Sequence, residues 1–122
     1  KSKFKCLFLD IDGTLITNSS KHFPPYIGEG KPLIKNIELI RKLCLKDYTY
    51  VILTTSRSSI YKEETLKELD KYQIPYDQII MDLPHCQRTL VNDYSLSNPF
   101  PTASSINLLR NSDCLSSFFN QQ

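Results

Sequence analysis

No stretch of this chain approaches the ~20 consecutive apolar residues that a membrane-spanning helix needs. No secretory leader is recognisable either, in a sequence that begins at Lys1 without a Met. The expected setting is therefore the cytoplasm, with no membrane partner. Charge of one sign is also scarce. The formal charge is +2 and the lysines are scattered rather than clustered, so the basic stripe that tracks a nucleic-acid backbone is missing. The four cysteines, Cys6, Cys44, Cys86 and Cys114, form no C-x-x-C pair, which leaves no zinc or redox motif. Cys6 and Cys44 lie inside apolar patterns and are expected as small core residues, whereas Cys86 lies in a polar loop. His22 and His85 stand alone, so neither a histidine metal site nor a Cys–His nucleophile is indicated. Asn18-Ser19-Ser20 fits a glycosylation acceptor, but nothing else points to secretion. Internal repeats and low-complexity tracts are absent.

What is present suits one soluble domain. A chain of 122 residues, 40% hydrophobic and 23% charged, can bury about two-thirds of its unfolded surface. Residues 4–10 form a short apolar run that reads as a central strand buried on both faces. Residues 15–31, with Pro24, Pro25, Gly28 and Gly30, read as a long flap loop. From Pro32, apolar residues at Leu33, Ile34, Ile37, Ile40 and Leu43 recur at helical spacing. A second buried strand follows at 49–54, a helix at 59–73, a weaker strand at 78–82 and further strands at 89–93 and 104–109. Residues 110–122 read as a polar tail. Alternation of strand and helix predicts an α/β fold, a Rossmann-like three-layer sandwich with a mainly parallel sheet. One join resists it: six residues between 78–82 and 89–93 are too few for a parallel crossover.

The polar residues cluster where strands end. The first strand ends at Asp10 with Asp12 just beyond, the second at Thr54-Thr55-Ser56-Arg57, the fourth at Asn92-Asp93. The carboxyl ends of parallel strands lie along one edge, where such folds bind ligands. Two acidic segments and a hydroxyl segment should therefore meet. Asp10 and Asp93 can share a divalent cation there, and Mg²⁺, which keeps waters and takes one or two carboxylates, suits them. Taken singly, Asp12-Gly13 also suits a turn, and Asn92-Asp93 a cap.

Asp10-Ile-Asp-Gly-Thr14 after an apolar strand resembles the signature of the haloacid dehalogenase-like phosphatases, and the likeness extends over residues 5 to about 98. The resemblance implies that Asp10 is the nucleophile that becomes an aspartyl-phosphate and Asp12 the general acid and base. Thr55 would be the phosphoryl ligand, with Thr54 a weaker alternative. Asp93, with Asp10 and Asp12, would hold Mg²⁺. Gly13, Thr14, Ser56 and Arg57 would complete the phosphate and substrate contacts. The family's usual late lysine has no counterpart, since no Lys follows Lys71; Arg88 is expected in that role, with Arg57 the alternate.

Too few residues separate the motifs for a cap domain. The 15–31 flap, with Lys21, His22 and Lys31, is then the expected specificity element, together with segment 94–101. Val91-Asn-Asp-Tyr-Ser-Leu-Ser-Asn-Pro-Phe-Pro101 makes the chain similar to the short capless phosphatases encoded with bacterial capsule and surface-polysaccharide genes. The implied substrate is a phosphorylated small metabolite, sugar or nucleotide-sugar conjugate. A phosphoacceptor signalling domain and a non-hydrolytic binding or scaffold protein of the same fold are the alternatives.

Overall fold

The computed structural model describes residues 5–18 and 30–119. Three strands form its sheet: β1 (Cys6–Asp10), β2 (Tyr50–Thr54) and β3 (Gln78–Ile80). They lie side by side in the order β1-β2-β3, all parallel, with Asp10 opposite Thr54 and Thr54 opposite Ile80. Helix α1 (Ile34–Lys46) connects β1 to β2. A short 3₁₀ turn at Ser59–Tyr61 runs into helix α2 (Lys62–Lys71), which connects β2 to β3. This is a Rossmann-like α/β fold, and no cap domain occurs among the described residues.

Burial along the strands alternates. Leu9, Val51 and Leu53 are buried, and Ile11 continues that series, while Cys6, Phe8, Tyr50 and Ile80 are exposed. The covered face meets Ile37, Ile40 and Leu43 of α1, Leu69 of α2, and Ile74 and Leu115. Each fully buried aliphatic side chain contributes about 1.5–3 kcal/mol. The strands were expected to be buried on both faces. Among the described residues they are covered on one, which is why Cys6 is exposed rather than a core residue.

The expected strands at 89–93 and 104–109 are not formed. Leu90 is half exposed and Val91 and Leu109 are almost fully exposed; an apolar run that buries nothing has no reason to pair. With 89–93 outside the sheet, the short connection after β3 needs no parallel crossover. The chain beyond β3 instead folds back on the end of β2. Asp82 N donates to Arg57 O at 2.9 Å and Leu83 N to Thr55 O at 3.2 Å.

The residues expected as a polar tail have a structural role. Asp113 accepts from the Lys35 and Asn36 amides at 3.2 and 2.9 Å. Helix α1 has no acidic residue in its first turn and no capping side chain of its own, so this carboxylate from the far end of the chain satisfies its open amides. Asn36, wholly buried, donates to Thr14 O and Ser112 O, both at 2.8 Å, and accepts from Leu115 N at 3.0 Å. One amide side chain thus ties the Asp12–Thr14 loop, α1 and the C-terminal segment together.

Candidate active site

The loop after β1 is wound tightly. Ile11 O accepts from the amides of Thr14, Leu15 and Ile16, and Gly13 N donates to Ile16 O at 2.6 Å. Gly13 has φ +93°, a conformation that side chains rarely tolerate. The neck of the expected flap is zipped shut. Thr17 N donates to Lys31 O at 2.9 Å, Lys31 N to Thr17 Oγ1 at 2.9 Å and Leu33 N to Leu15 O at 2.8 Å. Gly30 belongs to this neck. A Cβ there would lie 2.8 Å from Thr17 O, so glycine serves close approach rather than hinge motion. Lys21, His22 and Gly28, expected in the flap, lie outside the described residues.

The alternation of β2 continues past its last residue and sorts the hydroxyl segment. Thr55 and Arg57 follow Val51 and Leu53 inward, while Ser56 follows Ile52 and Thr54. Thr55 is 1% exposed and its Oγ1 accepts from Arg57 N at 3.0 Å. Thr55, expected as the phosphoryl ligand, is therefore turned inward beside the sheet edge, its hydroxyl oxygen engaged in this local turn. Ser56 and Thr54 are the hydroxyls on the other side, and Thr54 Oγ1 donates to Leu9 O at 3.3 Å.

Arg57 is likewise not an open substrate contact. Its Nε and Nη2 donate to Asp12 Oδ2 and Oδ1 at 2.9 and 2.7 Å. Its Nη1 donates to Glu68 Oε1 at 2.9 Å and Thr65 Oγ1 at 3.2 Å. The Arg57, Asp12 and Glu68 side chains are 6%, 32% and 4% exposed. One guanidinium is therefore shared between two carboxylates, and the forked pair with Asp12 fixes that side chain's direction. Burial opposes the Arg57 charge, but Asp12 and Glu68 outweigh it and hold the guanidinium protonated. Glu68 and Thr65 carried no motif; only the fold of α2 against β2 brings them to Arg57.

Asp10 stands apart from this clamp, with its side chain 48% exposed. Burial at the sheet edge pushes its carboxyl above the ordinary value. Arg88 pulls it back, and Asp12 pushes it further up. Arg88 Nη1 lies 3.9 Å from Asp10 Oδ1, and its Nη2 donates to Ser56 Oγ at 3.2 Å. Asp10, Ser56 and Arg88, expected at one site from distant parts of the sequence, stand together here.

Asp93 is placed differently from its expectation. It is exposed, its carbonyl accepts from Thr102 Oγ1 at 2.6 Å, and Asn92 Nδ2 donates to Thr102 O at 3.2 Å. Among the described residues no three His, Cys, Asp or Glu side chains are grouped to hold a metal ion. Asp12 has both oxygens on Arg57, and Asp93 lacks the strand that would have aligned it with β1. Thr14 contributes its carbonyl to Asn36. The four cysteines are all unpaired thiols. No helix among the described residues is long and apolar enough to cross a membrane.

No family model matches the chain, and no curated protein matches it. Two solved structures share its fold. A structural-genomics target from Vibrio cholerae is 23% identical, with a TM-score of 0.56 over 73% of this chain and 80% of that one. A Pnkp1/Rnl/Hen1 complex is 22% identical, with a TM-score of 0.53 over 73% of this chain and 32% of that one. At these identities the likeness establishes the α/β architecture.

Proposed function

We propose that the chain is a cytoplasmic phosphomonoester hydrolase that works through an aspartyl-phosphate on Asp10. The observation that carries this reading is the division of labour between two carboxylates two positions apart. Asp10 is open and faces an arginine; Asp12 is locked by a buried one. An open carboxylate can approach phosphorus if nearby cations offset the repulsion between two anions. Arg88, held at this edge by Ser56, supplies such a charge and can bind a phosphoryl oxygen. The Ser56 hydroxyl beside it offers a further contact. Asp12 relays protons between leaving oxygen and attacking water. Each of its oxygens keeps a lone pair beyond the one facing Arg57, so the clamp leaves room for a proton. The resemblance of Asp10-Ile-Asp-Gly-Thr14 to haloacid dehalogenase-like phosphatases supports the same assignment.

Mg²⁺ belongs to the proposal, and the described residues fit it at Asp10. An ion that keeps most of its waters needs only one or two carboxylates, and Asp10 is the one with an open face. Its chemistry would be to neutralise phosphate charge. The proposed substrate is a phosphorylated small metabolite, sugar or nucleotide-sugar conjugate, in keeping with the likeness to capsule-locus phosphatases; nucleic acid is not proposed as a partner.

A phosphate-release screen tests the reading, run across sugar phosphates, nucleotides and aryl phosphates with Mg²⁺ and with EDTA. We expect release from at least one sugar phosphate or conjugate and its loss in EDTA. Full-rate turnover in EDTA removes Mg²⁺ from the proposal. Silence across the whole panel refutes the hydrolase and leaves binding without turnover.

A further inference from the structure

Beyond β3 the chain leaves the body of the molecule as an arm. From residue 84 to residue 107 every position is exposed except the half-buried Ala103. The arm is nonetheless shaped by its own hydrogen bonds. At its tip Asn98 N donates to Ser95 O at 3.0 Å and Phe100 N to Asn98 O at 2.9 Å. Its two legs are joined where Asn92 Nδ2 donates to Thr102 O at 3.2 Å and Thr102 Oγ1 to Asp93 O at 2.6 Å. It departs after Leu83, whose amide is bonded to Thr55 O, and returns at Leu108, which packs on the core.

What the arm shows to water is apolar. Leu90, Val91, Tyr94, Leu96, Phe100 and Ile106 are on average about two-thirds exposed. With ~150–200 Å² for each such residue fully open, they present roughly 600–800 Å², close to the ~800 Å² that each partner of a stable complex buries. Asp93 is the only charged residue between positions 89 and 107, in a chain that is 23% charged. Scarcity of charge together with exposed aromatics is the composition of an interface core rather than of a solvated loop. The same molecule carries a surface of matching character. Parallel sheets are normally covered on both faces, yet this one is covered on one. Phe8, Tyr50 and Ile80 stand exposed on the other, in rows with Ile52, Cys6 and Thr54 respectively.

We propose that the arm docks on the open sheet face of a second copy of this chain, whose own arm docks on the first. A second copy is the occupant because one chain carries both halves, arm and face, in equal number. Reciprocal exchange then covers both and closes on a two-fold axis, leaving neither half free to add further copies. Neither the arm beyond residue 88 nor the rows of the open face hold the basic residues that nucleic acid or an anionic membrane would need. Arg88, at the base of the arm, is bonded to Ser56 at the Asp10 edge, so the interface begins where the candidate site ends. The proposal does not depend on the hydrolase reading.

Light scattering coupled to size exclusion tests it on the full chain, independently of turnover. The wild type should run at twice the chain mass of 14.1 kDa. An arm variant, Leu96→Lys with Phe100→Lys, and a face variant, Phe8→Glu with Tyr50→Glu, should each run as monomers. Leu96 and Phe100 are 90% and 70% exposed, so the arm variant should keep the circular dichroism of the wild type. If Phe8→Glu unfolds the chain, Tyr50→Glu alone serves as the face variant. Mixed in equal amounts, the two variants should form a dimer again, because one arm–face contact is then native and the other sets lysines against glutamate. A wild type still monomeric at ~100 µM, where even a micromolar interface is formed, overturns the second copy and leaves the arm to a different protein. Dimers that survive the arm substitutions overturn the role of the arm. A mixture that stays monomeric overturns docking on the sheet face.

Discussion

Removing Arg57 should damage the fold before it damages substrate binding. In Arg57→Ala the Glu68 carboxylate stays buried, 4% exposed, and loses its cation. Its Oε2 already has no hydrogen-bond partner among the described residues, so none of them compensates. Breaking a buried pair from one side costs about 3–5 kcal/mol. The Asp12 half is one-third exposed, where water screens it, and adds at most about 1 kcal/mol. Against a total stability of about 5–15 kcal/mol for a domain, a loss near 4 kcal/mol lowers the unfolding midpoint by roughly 10–20 °C. Urea unfolding followed by circular dichroism measures the loss directly. The double variant Arg57→Met, Glu68→Met should recover most of it, since replacing both partners by apolar groups leaves no buried charge. Residual activity of Arg57→Ala should show kcat falling more than KM rises, because Asp12 has lost its direction while the open side is intact. A stability loss under about 1 kcal/mol, or a variant affected only in KM, would refute the buried-clamp argument and return Arg57 to the substrate.

Asp10→Asn should abolish phosphate release, since an amide cannot form the acyl-phosphate; substantial turnover would remove the nucleophile. Because burial raises the Asp10 carboxyl above 3.8, its ionisation is disfavoured in the folded state. The stability it contributes is present below the unfolded value and lost as pH rises. The thermal midpoint of Asp10→Asn relative to wild type should accordingly climb from acid pH to neutrality, and a flat difference contradicts the raised carboxyl. Arg88→Ala should lower kcat by roughly 10²–10³, the range for losing one fixed charge-stabilising donor; a near-neutral result in steady-state kinetics discards its catalytic role. Asn36→Ala strips partners from Thr14 O, Ser112 O and Leu115 N and should cost about 3 kcal/mol in chemical denaturation. Unchanged stability would mean that this amide is not the tie we describe.

The sequence by itself determined the local elements and the place of the Asp10–Asp12 pair at a strand end. Apolar runs ending in Asp10 and Thr54, and the helical spacing of Ile37, Ile40 and Leu43, are local signals. They mapped onto β1, β2 and α1 with shifts of a residue or two at the ends. That Asp10 and Ser56-Arg57 would lie at one edge followed from the parallel order alone. What only the tertiary structure decided depends on packing between distant segments. The side-chain parity of β2 sent Thr55 inward and Ser56 outward, and composition cannot set that parity. Glu68 and Thr65 were ordinary residues of an amphipathic helix until α2 docked and placed them on Arg57. Leu90 and Val91 read as a strand because apolar, β-branched residues favour one, but pairing requires a surface to bury, and among the described residues they have none. Residues 110–122 read as a polar tail because they carry neither period nor apolar stripe, yet 110–119 are built into the fold. Their order comes from Asn36, Asp113 and Asn111, single polar side chains whose partners lie some seventy to ninety positions away. No window along the sequence spans such a pair, so only the folded chain shows that its end completes the loop at its beginning.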